Sequence, residues 1–141
     1  MSEASPGPAS VVDRLVGALS DHDLDAMVSC FADDYLNETP AHPLRGFRGN
    51  DKVRTNWTQI FGNVPDLRAE VLRTSVDGST VWTEWDISGN LRAGGAFLMR
   101  GVVIFGIRDS AIASARFYLE PVEETSGAVD AHTQRVVGVK S

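Results

Sequence analysis

Apolar residues recur at helical spacing in the first half of the chain and in strand-like runs in the second. Val12, Leu15, Val16 and Leu19 follow the i, i+3, i+4, i+7 rule and predict a first helix, with Ser10 as its cap. Asp21-His22-Asp23 interrupts the pattern, and Leu24, Met27, Val28 and Phe31 repeat it in a shorter second helix. Two such helices joined by a tight polar turn form a helical hairpin. Asp33-Asp34 is expected to end the second helix, and Tyr35 to Pro40 to run extended. Pro40 and Pro43 make that segment an edge or irregular strand, because proline cannot donate to a ladder. Gly46 and Gly49 frame a turn. Asn50 is the expected N-cap of a third helix, with Val53, Trp57, Ile60 and Phe61 on one stripe. Val64-Pro65-Asp66 stops it.

The second half has a different period. Leu67 to Val76 predicts a strand closed by the turn Asp77-Gly78-Ser79, and a second strand spans about Thr80 to Ser88. After the glycine-rich loop Gly89 to Gly95, Phe97 to Ile107 is the longest strand. Arg108-Asp109-Ser110 turns it into a last strand, Ile112 to Glu120, which Pro121 ends. The Tyr, Trp, Phe, Val and Ile content of these runs suits a pleated, half-buried surface. Helices followed by a four-stranded meander predict an α+β domain, its curved antiparallel sheet wrapping as a cone around three N-terminal helices. The mouth of such a cone is where a small ligand would enter.

Composition narrows the picture. A chain of 141 residues is one domain with a core of adequate size. Residues 1–9 are rich in Ser, Pro, Gly and Ala and are expected to be a disordered tail, with the domain at 10–121 and a polar tail at 122–141. That last stretch carries one apolar patch, Val136, Val137 and Val139, which would either dock or fray. The single cysteine, Cys30, excludes an intramolecular disulfide and suits a reducing, cytoplasmic setting. No basic n-region or spanning apolar run is present, so neither secretion nor a membrane is expected. A net charge of −6 with scattered Lys and Arg argues against nucleic acid as a partner.

The order of elements and the wording of the strands resemble the nuclear transport factor 2-like superfamily, over about Val11 to Val122. Within it the chain looks most like the SnoaL-like polyketide cyclases and the limonene epoxide hydrolases. Tyr35-Leu36-Asn37-Glu38-Thr39-Pro40 followed by Gly46 is similar to a hydrolase segment whose Tyr and Asn hold the attacking water. Val81-Trp82-Thr83-Glu84 and Arg116-Phe117-Tyr118-Leu119-Glu120 resemble two further hydrolase motifs. The resemblance implies a cystatin-like cone and a pocket. In that alignment Trp85 stands for the hydrolase arginine, and Ile87 and Phe117 for its two aspartates. Leu91 stands where the cyclase motif has histidine. Epoxide hydrolysis by the family relay is therefore not expected.

Alternation along strands assigns faces. With Trp85 and Phe117 inward, Thr83, Ile87, Phe97, Met99 and Leu119 follow, and Trp57, Ile60 and Phe61 complete an apolar lining. Tyr35, Asn37 and His42 would be its polar members. Glu84, Asp86, Arg100, Arg116, Tyr118 and Glu120 fall on the opposite face, where they can pair across strands. In the superfamily resembled, that face packs against a second copy, so a homodimer through Glu84, Arg100, Arg116, Tyr118 and Glu120 is expected. The histidines and the lone cysteine have no metal-ligand spacing, and no serine sits in a nucleophile elbow.

Two function classes stay open. One is an enzyme acting on a hydrophobic small molecule without metal or organic cofactor, of isomerase, cyclase or hydrolase type. Tyr35 and Asn37 would orient substrate or water, and His42 or Asp86 would supply acid–base chemistry. The other is a non-catalytic ligand-binding or dimeric interaction module, favoured by the apolar residues at Trp85, Ile87 and Phe117.

Overall fold

In the computed structural model, which describes residues 7–123 and 136–137, the chain opens with α1 (Ala9–Ser20) and α2 (Leu24–Val28). Strand β1 (Phe31–Glu38), a 3-10 turn (Pro43–Arg45) and a short β2 (Phe47–Arg48) lead into α3 (Asn50–Asn63). Four long strands follow, β3 (Arg68–Asp77), β4 (Thr80–Asn90), β5 (Ala96–Arg108) and β6 (Ala111–Pro121). Their hairpins are antiparallel, as the meander required. The spatial order is β2-β1-β6-β5-β4-β3, and β1 runs parallel to β6, so the sheet as a whole is mixed. This is the α+β cone.

Three local expectations change. Helix α1 starts behind Pro8, whose backbone is already helical, so Ser10 lies inside the helix and does not cap it. Helix α2 is capped by Asp23, which accepts from the Ala26 N–H at 3.1 Å, and it ends at Val28. Phe31 therefore belongs to a strand. The Ile112 N–H donates to the Cys30 carbonyl at 2.8 Å and Phe31 pairs with Ile112, so pairing to β6 overrides the helical spacing. Asp33 and Asp34, expected to stop a helix, are exposed strand residues. Pro40 and Pro43 lie beyond the end of β1, which is why they leave its ladder intact. Helix α3 is entered through Gly49 at φ +98°, a backbone geometry glycine adopts without strain. Asn50 instead donates its side-chain amide to the Phe31 carbonyl at 3.3 Å, tying α3 to β1.

The core lies between α1, α2 and the inner sheet face. Val11, Val12, Leu15, Ala18 and Leu19 of α1 are buried against Val81, Trp85, Val103, Phe105, Ile112 and Ala115. Register shifts between Val71 and Arg73 in the edge strand β3 and between Gly106 and Ile107 in the central β5–β6 pairing bend the sheet. Gly101 sits on the inner face between Trp85 and Leu119, where a Cβ would come within 2.1 Å of the Tyr118 carbonyl oxygen. The strands can close to a cone there only because that atom is missing. His22 does more than fill a turn: it donates to the Leu67 carbonyl at 2.8 Å and stacks on Phe61 at 4.7 Å, pinning the helical hairpin to α3. Of the C-terminal tail, Val136 and Val137 are exposed; Val139 and residues 1–6 lie outside the described residues.

Candidate functional site

The part of the cone that the helices leave unfilled is a cavity of about 270 Å³ between α3, β1 and the inner faces of β4, β5 and β6. Ile87, Phe97, Met99, Phe117 and Leu119 form its sheet wall, and Trp57 and Ile60 its helix wall. A second space of about 40 Å³ shares Phe31, Trp57, Ile87, Phe117 and Leu119 with it and lies deeper, against Trp85, Phe105 and Leu15. Strand alternation explains this wall, because every second residue of each strand faces α3 or the space beside it.

The polar part of the wall comes from β1. Tyr35, 1% exposed, and Asn37, 8% exposed, are two residues apart and so share a face. The Tyr35 hydroxyl donates to Asn37 Oδ1 at 2.7 Å. Burial raises the Tyr35 pKa, so the hydroxyl keeps its proton and remains a donor. Phe31 and Phe47 pack edge-on against the Tyr35 ring, with centroids 4.7 and 6.0 Å away. With its oxygen engaged, Asn37 has two N–H donors left. They meet no acceptor among the described residues, and no fully buried side-chain nitrogen or oxygen there lacks a partner. The amide nitrogen therefore opens onto the cavity that Asn37 lines.

The remaining expected members divide. Trp85 is 3% exposed and lines only the deeper space. Thr83 is buried and does not line the cavity: it donates to the Val103 carbonyl at 2.7 Å and accepts the Trp85 indole N–H at 2.6 Å. It fixes the indole in place of contacting a ligand. Phe61 also lies off the cavity, between the rings of His22 and Trp57. His42 and Asp86 are absent from the wall as well. The His42 Nε2–H bonds the Glu120 carboxylate on the outer side of β6, and Asp86 accepts from Arg100 Nε at 3.3 Å on the outer face of β4. Neither faces the cavity, because each follows the opposite strand parity or the turn beyond it. Among the described residues, no group of three His, Cys, Asp or Glu side chains could hold a metal ion, and no helix is long and apolar enough to cross a membrane.

Six wall residues were not expected from the sequence: Phe31, Thr39, Arg45, Phe47, Val53 and Asn56. Phe31 keeps helical spacing in the sequence, and only its pairing with β6 turns it to the cavity. Thr39, Arg45 and Phe47 follow from the β1–β2 pairing, where Asn37 faces Phe47. Continuing that register places Thr39 beside Arg45 at the rim. Recognising Gly46 and Gly49 as the flanks of a strand would have exposed this parity. Val53 and Asn56 share the α3 stripe with Ile60 at helical spacing.

The outer face is of another kind. Arg73 meets Glu84 at 3.5 Å, Arg100 meets Asp86 at 3.3 Å and Arg116 meets Glu38 at 3.3 Å, all with substantial exposure. Hydrogen bonding to Tyr118, together with the Glu38 charge, raises the Arg116 pKa. Trp82 and Tyr118 stand out of this face, 47% and 42% exposed.

Known structures share this architecture. An LEH-like epoxide hydrolase from M. tuberculosis superposes with a TM-score of 0.69 at 21% identity, over 80% of this chain and 82% of that one. An M. tuberculosis protein in complex with estradiol-17β-hemisuccinate gives 0.69 at 18%, over 80% and 94%. A cystatin-fold protein from Novosphingobium aromaticivorans gives 0.67 at 17%, over 80% and 98%. Such identities carry the fold alone. No curated protein matches the sequence. The family model for the SnoaL-like domain matches residues 12–115, the span from α1 to the middle of β6, which carries every wall residue of the cavity except Phe117 and Leu119. The chain belongs to the SnoaL-like family.

Proposed function

We propose that the protein binds a small hydrophobic molecule inside the cone, with the Asn37 amide as the polar contact that orients it. The observation that carries this reading is the make-up of the wall. Among the described residues it is apolar apart from Tyr35, Asn37, Thr39, Arg45 and Asn56, and it contains no His, Asp, Glu, Lys or Cys. A general acid or base must titrate near the working pH, and Tyr35, held protonated by burial, does not. Binding, not proton transfer, is the task this wall suits. The volume of about 270 Å³ lies just below the roughly 300–1,000 Å³ common for ligand sites, which limits the ligand to a small one. The complex of a like-folded neighbour with estradiol-17β-hemisuccinate supports an apolar ligand for a cone of this shape.

The test is a fluorescence titration with N-phenyl-1-naphthylamine, a neutral apolar probe. Saturable one-to-one binding is expected, and Leu119→Trp, which fills the cavity, should abolish it while circular dichroism stays native. Probe binding that survives Leu119→Trp in a folded protein would rule the cavity out.

A second copy of the chain is the occupant we infer for the outer face. The supporting observation is the pair of half-exposed aromatics, Trp82 and Tyr118, among side chains of both charges. A two-fold contact would bury them and set each charge opposite its complement. Light scattering at micromolar concentration should give twice the monomer mass, and Trp82→Glu should reduce it. A monomeric mass for the wild type refutes the inference.

A further inference from the structure

We propose that the ligand is an apolar molecule carrying a single anionic group, and that Arg45 binds that group at the rim of the cavity. The inference rests on the cavity being a ligand site and adds the chemical class of what it holds.

The first observation is charge balance. Of the described side chains that line the cavity, Arg45 is the one that carries a formal charge, and no carboxylate among them shares the wall with it. The second is that Arg45 is idle. Arg54, Arg100, Arg108 and Arg116 all bond carboxylates, whereas the Arg45 guanidinium makes no hydrogen bond or ion pair among the described residues. The acids at the ends of β1 and β6 are engaged with other residues: Glu38 with Arg116 and Glu120 with His42.

The third observation is placement. The backbone around Arg45 is held firmly: its own N–H donates to the His42 carbonyl at 2.9 Å, and the Thr39 hydroxyl donates to the same carbonyl at 2.7 Å. Gly46 lies so close to β1 that a Cβ would sit 3.0 Å from the Asn37 carbonyl oxygen. The guanidinium is thus carried on a braced turn beside Asn37, and both groups offer donors that meet no acceptor among the described residues. A planar guanidinium fork favours carboxylate-like or sulfonate-like groups, and a low-dielectric wall beneath it strengthens that preference. The apolar body would occupy the cone, the anion would meet Arg45, and the Asn37 amide would meet an acceptor further in.

A matched pair of probes tests this directly. 8-Anilinonaphthalene-1-sulfonate and N-phenyl-1-naphthylamine share one apolar skeleton and differ by a sulfonate. The wild type should bind the sulfonate about tenfold more tightly, the scale of a charged hydrogen bond. Raising the salt concentration should narrow that ratio. In Arg45→Gln the ratio of the two affinities should fall to near one, and Arg45→Lys should restore part of it. Arg45 is exposed, so neither variant threatens folding. The neutral probe should displace the anionic one, showing a shared site. A ratio near one in the wild type, a ratio unchanged in Arg45→Gln, or no displacement would overturn the assignment while leaving saturable binding of the neutral probe intact. Failure of the neutral probe itself would remove the cavity reading and this inference with it.

Discussion

Strands β4, β5 and β6 present two opposite surfaces built from interleaved residues. Inward go Trp85, Ile87, Met99, Phe117 and Leu119, and outward go Trp82, Glu84, Asp86, Arg100 and Tyr118. Each tryptophan of β4 is three positions from the other, yet Trp85 is 3% exposed and Trp82 47%. The inner surface has its polar groups paired with one another or turned to the cavity. The outer surface has its charges paired in water, where such pairs contribute little. Carboxylates near a pocket are therefore no evidence of chemistry in it. Parity decides.

The sharpest way to break this comparison is to truncate both tryptophans. Trp85→Ala removes a buried ring that Thr83 anchors and Phe105 packs at 6.4 Å, and should cost about 3–5 kcal/mol in urea denaturation. Trp82→Ala should cost less than about 1 kcal/mol at low protein concentration. A cost for Trp82→Ala that grows with concentration would report the second copy on the outer face. Equal costs at low concentration would sink the two-surface description.

Next in size is the buried hydroxyl. Tyr35→Phe leaves Asn37 Oδ1 without its donor and should cost about 1–3 kcal/mol, with weaker probe binding because the amide is no longer oriented. Its pH dependence has a definite sign. Burial raises the Tyr35 pKa above the ordinary value near 10, so the folded state keeps a proton that the unfolded chain releases. That contribution is complete below about pH 10 and is lost as pH rises beyond it. The wild type should therefore lose stability more steeply than Tyr35→Phe above that pH. Parallel slopes would show that the hydroxyl is not sealed.

The smallest effect belongs to the acid that chain position alone recommended. Asp86→Asn should change stability by no more than about 0.5 kcal/mol, since its Arg100 partner is well exposed. Affinity for the neutral probe should be unaltered. A large loss of binding would bring Asp86 back to the site.

Much of the inner wall was legible because a strand has a period of two. Once Phe117 was placed inward, Leu119 followed, and the pattern on β4 gave Ile87 in the same way. Thr83 obeys that parity too, but its hydroxyl is taken by Trp85 and Val103, a cross-strand detail that periodicity does not carry. Phe61 departs from expectation for a related reason: it lies on the helix stripe, yet the His22 ring covers it. His42 looked like a base at the mouth, because nothing in its sequence neighbourhood announces Glu120, 78 residues away.

By itself, the sequence determined the kind of each long element of the meander and of α1 and α3, and the alternation of faces, because both depend on residues only a few positions apart. It thereby set an apolar cone and a charged outer surface. Tertiary structure decided the rest. Parallel pairing of β1 with β6 turned Phe31 from a helix residue into a cavity residue and brought Tyr35 and Asn37 to the wall. The turn that follows placed Arg45 at the rim while other partners took up the acids at the ends of β1 and β6. Such contacts depend on which strands meet, and that is fixed by burial of the whole core, which no local spacing records.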